Sequence, residues 1–221
     1  MLFLLSIIIF IVFDLVLRRE DRILKETENV KRTPIFLSPD KALKSVGNET
    51  ERLFHISHSW ALSANDGFVY VGYDKLIPSL FSSEVKIDGI PTIGTQISQG
   101  NEAWIVKHNN REISQLAPIS GKIVDINPAC KMDIPLSSEQ LEKSWILKLR
   151  ANQFEQESHN LMNYSQAKLI NTVLRDELAL DAYNNYLNDG GKLDPSFIEA
   201  LSDKDWKRII SKYFPYMKHH E

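Results

Sequence analysis

The chain has a single cysteine, Cys130, among 221 residues. One thiol excludes an intramolecular disulfide and a cysteine-based zinc site, and it fits a reducing compartment. Excess positive charge is lacking too: 26 Lys and Arg against 29 Asp and Glu leave a net charge of −3. That gives no electrostatic case for a nucleic-acid partner. Nucleophile-elbow, P-loop and dinucleotide-binding glycine patterns are all missing. The six histidines, His55, His58, His108, His159, His219 and His220, do not recur at a metal-ligand spacing beside acidic or cysteine partners. The chain therefore reads as a non-enzyme with no resident metal and no cofactor.

What is present begins with an apolar run. Met1 to Leu17 (MLFLLSIIIFIVFDLVL) is broken only by Ser6 and Asp14. As a helix it would extend roughly 26 Å, a little short of a hydrocarbon core of about 30 Å, with Asp14 within a turn of the interface. A cleaved signal peptide wants a basic start and a small-x-small cleavage site, and the basic residues Arg18, Arg19, Arg22 and Lys25 all follow the run instead. The expectation is an uncleaved, single-pass anchor over residues 1–19. The positive-inside rule then puts the remainder on the cytoplasmic side of the inner (cytoplasmic) membrane. Residues 20–52 read as a charged linker in which Pro34 and Pro39 bracket Ile35-Phe36-Leu37.

Residues 53–150 have the signature of a small β-domain. Short runs such as Phe68-Val69-Tyr70-Val71, Ile123-Val124-Asp125-Ile126 and Trp145-Ile146-Leu147-Lys148-Leu149 are separated by Gly, Pro, Asn or Asp at turn-like intervals. Asp74 to Phe81 (DKLIPSLF) is expected to be a broken turn because Pro78 falls inside it. Gly89, Gly94, Gly100 and Gly121 suit turns or close backbone approach. Residues 151–221 change character. Apolar residues at steps of three, four and seven predict one amphipathic helix from Asn152 to Leu187, ended by Asp189-Gly190-Gly191. Asp194-Pro195 would open a short helix and Ser202-Asp203-Lys204-Asp205 would cap another that runs to Tyr213, with Pro215 after it.

Gly100 to Gly121 (GNEAWIVKHNNREISQLAPISG) organises the β-domain. It reads as a strand from Ala103 to Val106, a polar tip from Lys107 to Arg111, a second strand from Ile113 to Ala117, and a Pro-Ile-Ser-Gly turn. Here the sequence resembles the H-protein of the glycine cleavage system. In that family a Gly opens the segment, a lipoylated Lys sits ten residues later at the hairpin tip, and Pro-x-Ser-Gly closes it eleven beyond the Lys. Gly100, position 110 and Gly121 keep that spacing. His58-Ser59-Trp60 is similar to the family's His-Glu-Trp, and Gly67 to Gly72 to its first inner strand. Ile87 to Gly94 resembles its Leu-Pro-x-x-Gly loop, Val124 to Asn127 its Val-x-x-Asn, and Ser144 to Lys148 its closing Gly-Trp strand.

The resemblance implies a mainly β fold, a lipoyl-type barrel-sandwich hybrid, here between an N-terminal transmembrane helix and a C-terminal helical extension. It also marks a departure. The lipoyl position holds Asn110, whose amide cannot be acylated as an amine can, and Lys107 stands where the family has Glu. The function expected is a non-catalytic, membrane-anchored module that serves as scaffold or accessory subunit of a membrane assembly, docking an unidentified protein partner through the tip Lys107, His108, Asn109, Asn110 and Arg111. In that reading Lys107, His108 and Arg111 form a small basic knob. Two alternatives stay open: a carrier with lipoate on Lys107, or less readily Lys122, and an adaptor subunit of a membrane transport system.

Overall fold

A computed structural model of the chain describes residues 47–64, 67–81, 84–131, 135–137, 140, 144–185 and 201–215. The apolar run, most of the linker, and the segment holding Asp189-Gly190-Gly191 and Asp194-Pro195 lie outside these residues. Among the described residues no helix is long and apolar enough to cross a membrane.

The β-domain is two antiparallel sheets. β1 (Leu53–Phe54), β2 (Ser59–Ser63), β3 (Val69–Tyr73), β5 (Gln96–Ile97), β8 (Gly121–Ile126) and β9 (Leu147–Arg150) form one, in the order β1-β2-β3-β9-β8-β5. β4 (Lys86–Asp88), β6 (Glu102–His108) and β7 (Arg111–Leu116) form the other, in the order β4-β6-β7. The mainly β architecture expected from the sequence is what is found. The core draws on strands of both sheets, with Trp104, Ile113, Tyr73, Ile123 and Leu147 all essentially sealed from water. A smaller cluster of Phe54, Trp60, Leu62 and Ala167 forms separately from it.

Gly72 is the tightest point of the larger sheet. It pairs with Trp60 across β2 and β3, and a Cβ built there would lie 2.6 Å from Trp60 Cζ2 and 2.9 Å from the Ser144 carbonyl oxygen. Only a hydrogen leaves room for the indole.

Helical structure departs from expectation in two places. Leu76–Ser79 forms a single helical turn (α1) in spite of Pro78; in a first turn the N–H groups have no intrahelical acceptor, so a proline costs little. A second short turn, α2 (Pro128–Lys131), follows β8. The long helix expected from Asn152 is divided into α3 (Phe154–Ser158) and α4 (Tyr164–Asn185). Two local constraints divide it. Met162 exchanges backbone hydrogen bonds of 2.8 Å with Phe54, and Asn163 and Gln166 cap each other reciprocally at 3.0 Å, which starts a new helix. The final helix, α5 (Asp203–Tyr213), forms as expected, and the Ser202 side chain accepts from the Asp205 N–H at 3.2 Å.

α5 adds Trp206, Ile209, Ile210 and Phe214 to the main core. It is tied to α4 through Asp181, whose carboxylate accepts from Arg208 Nη1 at 3.0 and 2.9 Å, from Tyr213 Oη at 3.0 Å and from Lys212 Nζ at 3.3 Å. The Arg208 guanidinium, with Tyr213 and Lys212, holds the Asp181 carboxyl down at about 2, below its ordinary 3.8.

Two outcomes follow from this packing. Gly72→Ala should lower stability by about 1–3 kcal/mol through overpacking against Trp60, read by chemical denaturation. Asp181 is depressed in the folded state, so its contribution is present above its ordinary value and is lost as pH falls from about 4 towards 2. Asp181→Asn should flatten that limb in thermal melts taken across the range, and should cost about 1–2 kcal/mol at neutral pH.

Candidate functional site

β6 and β7 meet in a tight hairpin. Lys107 pairs with Glu112 and His108 with Arg111, so only Asn109 and Asn110 form the turn. Asn109 takes φ +51, a left-handed conformation that Asn tolerates better than most residues. The five-residue polar tip expected from the sequence is therefore a two-residue turn with strand residues on each side. Asn110 is exposed on that turn.

His108 is the clearest correction. Side chains on a strand alternate faces, and Trp104, Val106 and His108 are all buried while Ile105 and Lys107 are half-exposed. The ring packs on Phe81 at 5.2 Å and donates Nδ1–H to the Glu84 carbonyl at 3.0 Å, which leaves Nε2 to accept from the Asn109 amide at 3.0 Å. His108 is a buried, satisfied side chain and no part of an exposed basic knob. The period of two from Trp104 was the sequence signal that could have shown it.

Lys107, on the opposite face, is the only amine between residues 107 and 111. Its Nζ lies 2.8 Å from Asp88 Oδ2 on β4 and 2.9 Å from Glu112 Oε1 on β7. The hydrogen bonds to Asp88 and Glu112 push its pKa well above the ordinary lysine value. An ammonium so held is protonated and a poor nucleophile.

Arg111 points the other way and meets the C-terminal extension. Nη1 donates to Asp203 Oδ1 at 2.7 Å, Nη2 donates to the Leu201 carbonyl at 2.6 Å, and the guanidinium stands 5.4 Å from the Trp206 ring centroid. The side chain is only 13% exposed. The tip is thus clasped by the start of α5, and a hollow of about 230 Å3 remains between His108, Asn109, Asn110, Arg111 and Asp203.

Of the other singled-out residues, Trp60 lies buried on β2, while His58 precedes that strand with its Nδ1 donating to Asp74 Oδ2 at 3.1 Å. Lys122 is on β8, paired across the strands with Gln96 and Arg150, away from the tip. Burial pushes the Cys130 thiol up to about 12, which leaves it inert at neutral pH. Among the described residues no group of three His, Cys, Asp or Glu side chains is placed to hold a metal ion. The role of Asp74 and Asn171 in fixing His58 was invisible in the sequence, since Asn171 lies 97 residues from its partner Asp74.

Comparison with known proteins gives one family. The glycine cleavage H-protein family model matches residues 52–173. The glycine cleavage system H protein of Escherichia coli is 30% identical over 122 residues, which are 54% of this chain and 90% of that protein. A probable glycine cleavage system H protein from Thermococcus kodakarensis is 26% identical over 106 residues, covering 48% of this chain and 78% of the relative. Among solved structures, a glycine cleavage system H protein from Mycobacterium marinum aligns with a TM-score of 0.42 at 20% identity, over 56% of this chain and 98% of that one. All of α5 lies beyond the family match. With more than half of its residues matched by that family model, the chain belongs to the glycine cleavage H-protein family.

Proposed function

We propose that this chain is a non-catalytic member of its family: a docking module tethered to the cytoplasmic membrane face by its N-terminal apolar segment, serving as scaffold or accessory subunit of a membrane assembly. One observation carries the reading. The hairpin tip presents no available amine, because Asn110 occupies the position that the family resemblance gives to the lipoyl lysine and the neighbouring Lys107 Nζ is held between Asp88 and Glu112. Acylation needs an unprotonated amine that can leave its partners. Lipoate on Lys107 would require breaking both ion pairs.

The clasp adds a second element to the reading. Arg111 is the cation that a tip of this shape could offer an acidic partner surface, and here it is bound by Asp203 and the Leu201 carbonyl. A partner that uses Arg111 must displace the start of α5, whereas one that uses Asn109 and Asn110 need not.

Intact mass of the chain taken from its native membranes tests the first point. The unmodified mass is expected, in a fraction that resists alkaline carbonate extraction. One lipoyl group on Lys107 would overturn the reading and make the chain a carrier. Arg111→Ala tests the clasp: a loss of about 2 kcal/mol in stability, with faster hydrogen exchange confined to residues 203–213, is the expected outcome. Unchanged exchange there would mean that α5 is held by its apolar face alone.

A further inference from the structure

An apolar groove of about 460 Å3 lies between the loop before β2, the middle of α4 and the end of α5. That volume is within the roughly 300–1,000 Å3 of small-molecule sites. Large apolar side chains concentrate here: Ile56, Leu169, Ile170 and Val173 line it while 40% to 66% exposed, with Leu174 and Phe214 beside them. Four such side chains around one concavity form a patch that water covers at a cost.

Set into these apolar walls is one oriented polar group. The His58 side chain is 7% exposed and lines the groove. Its Nδ1 donates to Asp74 Oδ2, and Asp74 is itself fixed by the Leu76 N–H and the Asn171 side-chain amide, each at 2.9 Å. Phe214 packs edge-on to the ring at 5.5 Å. Among the described residues Nε2 has no hydrogen-bond partner.

The backbone supports the same conclusion. His58 has φ +61, a conformation that a non-glycine residue holds only when its surroundings impose it. The His58 N–H donates to the His55 carbonyl at 3.0 Å, and the His58 carbonyl accepts from Asp74 at 2.8 Å. Strain, an orienting carboxylate and an unmatched ring nitrogen thus coincide at one residue on an apolar groove.

We propose that this groove binds a small amphiphile, an alkyl body with one oxygen-bearing head group, with the head hydrogen-bonded to His58 Nε2 and the chain lying along Ile170, Val173 and Leu174. A neutral ring with its proton on Nδ1 accepts from a hydroxyl at Nε2, and a protonated ring donates to a carboxylate. The Lys212 ammonium in the lining is engaged by Asp181 and the Tyr213 hydroxyl, so recognition of the head falls to His58. The proposal stands whether or not the hairpin tip is a lipoyl site, since α4 and α5 build most of the groove.

Octanoate and 1-octanol, titrated into the full chain carrying methyl-labelled Ile, Leu and Val, provide the test. At least one should produce saturable methyl shifts at Ile56, Ile170, Val173 and Leu174. Val173→Glu, which puts a carboxylate on an exposed wall and should fold normally, is expected to weaken binding about tenfold. His58→Asn keeps a residue type that tolerates positive φ but is too short to reach the head group, and should weaken it by about as much. Binding of the acid, of the alcohol or of both supports the site and identifies the head group it accepts. Absence of saturable shifts, or shifts indifferent to Val173→Glu, would overturn the site. Undiminished binding by a folded His58→Asn variant would overturn the head-group contact.

Discussion

Arg111 stands at the first position of β7, with its guanidinium largely removed from water. A guanidinium in that state must have its donors matched, since an unmatched buried charge costs several kcal/mol. Among the described residues, Nη1 and Nη2 are matched by Asp203 and the Leu201 carbonyl, some ninety residues away. Once the start of α5 is held at the hairpin, its apolar face lies on the core through Trp206, Ile209, Ile210 and Phe214. The far end of the same helix then reaches Asp181 on α4 and the ring of His58. Arg111 and the apolar face beside it thus join the tip to the extension.

Asp74 plays a corresponding part beside His58. It joins the end of β3 to α1 through the Leu76 N–H, to α4 through Asn171, and to the loop before β2 through His58. A carboxylate that accepts three hydrogen bonds is well satisfied despite burial. On α4, Leu169, Ile170 and Val173 stay exposed. Those three side chains are where the extension differs most from a helix that only completes a core.

The hairpin is built from its two strands and a two-residue turn. Strand pairing from Glu102–Leu116 to His108–Arg111 holds the turn rigid, and Asn109 supplies the left-handed residue that a two-residue connection needs. On the outward face Lys107 is held between Asp88 and Glu112, and the inward face is filled by His108 on Phe81. The turn itself carries no charge, and the cations beside it, Lys107 and Arg111, are both engaged.

Local chemistry was legible in the sequence wherever the cause was local. Glycines at turns, the alternation of the strands, the Ser202 cap and the Gly100–Gly121 spacing all act within a few residues, and all correspond to what forms. The break between α3 and α4 was half legible: Asn163 and Gln166 spell a reciprocal cap, but a period of three and four runs through them, and the Met162–Phe54 bridge that decides the matter joins residues distant in sequence. His108 was misplaced because polarity was read ahead of the strand's period. The clasp on Arg111 and the fixing of His58 by Asp74 and Asn171 had no sequence signature. By itself, then, the sequence determined the strand-rich character of residues 53–150, the Ser202 cap and the absence of an amine at position 110, because these depend on residue type and near neighbours. Which side chains meet across the fold, which cation is matched and which apolar face stays bare were decided only by tertiary structure, because burial assigns those partners after the chain has closed on itself.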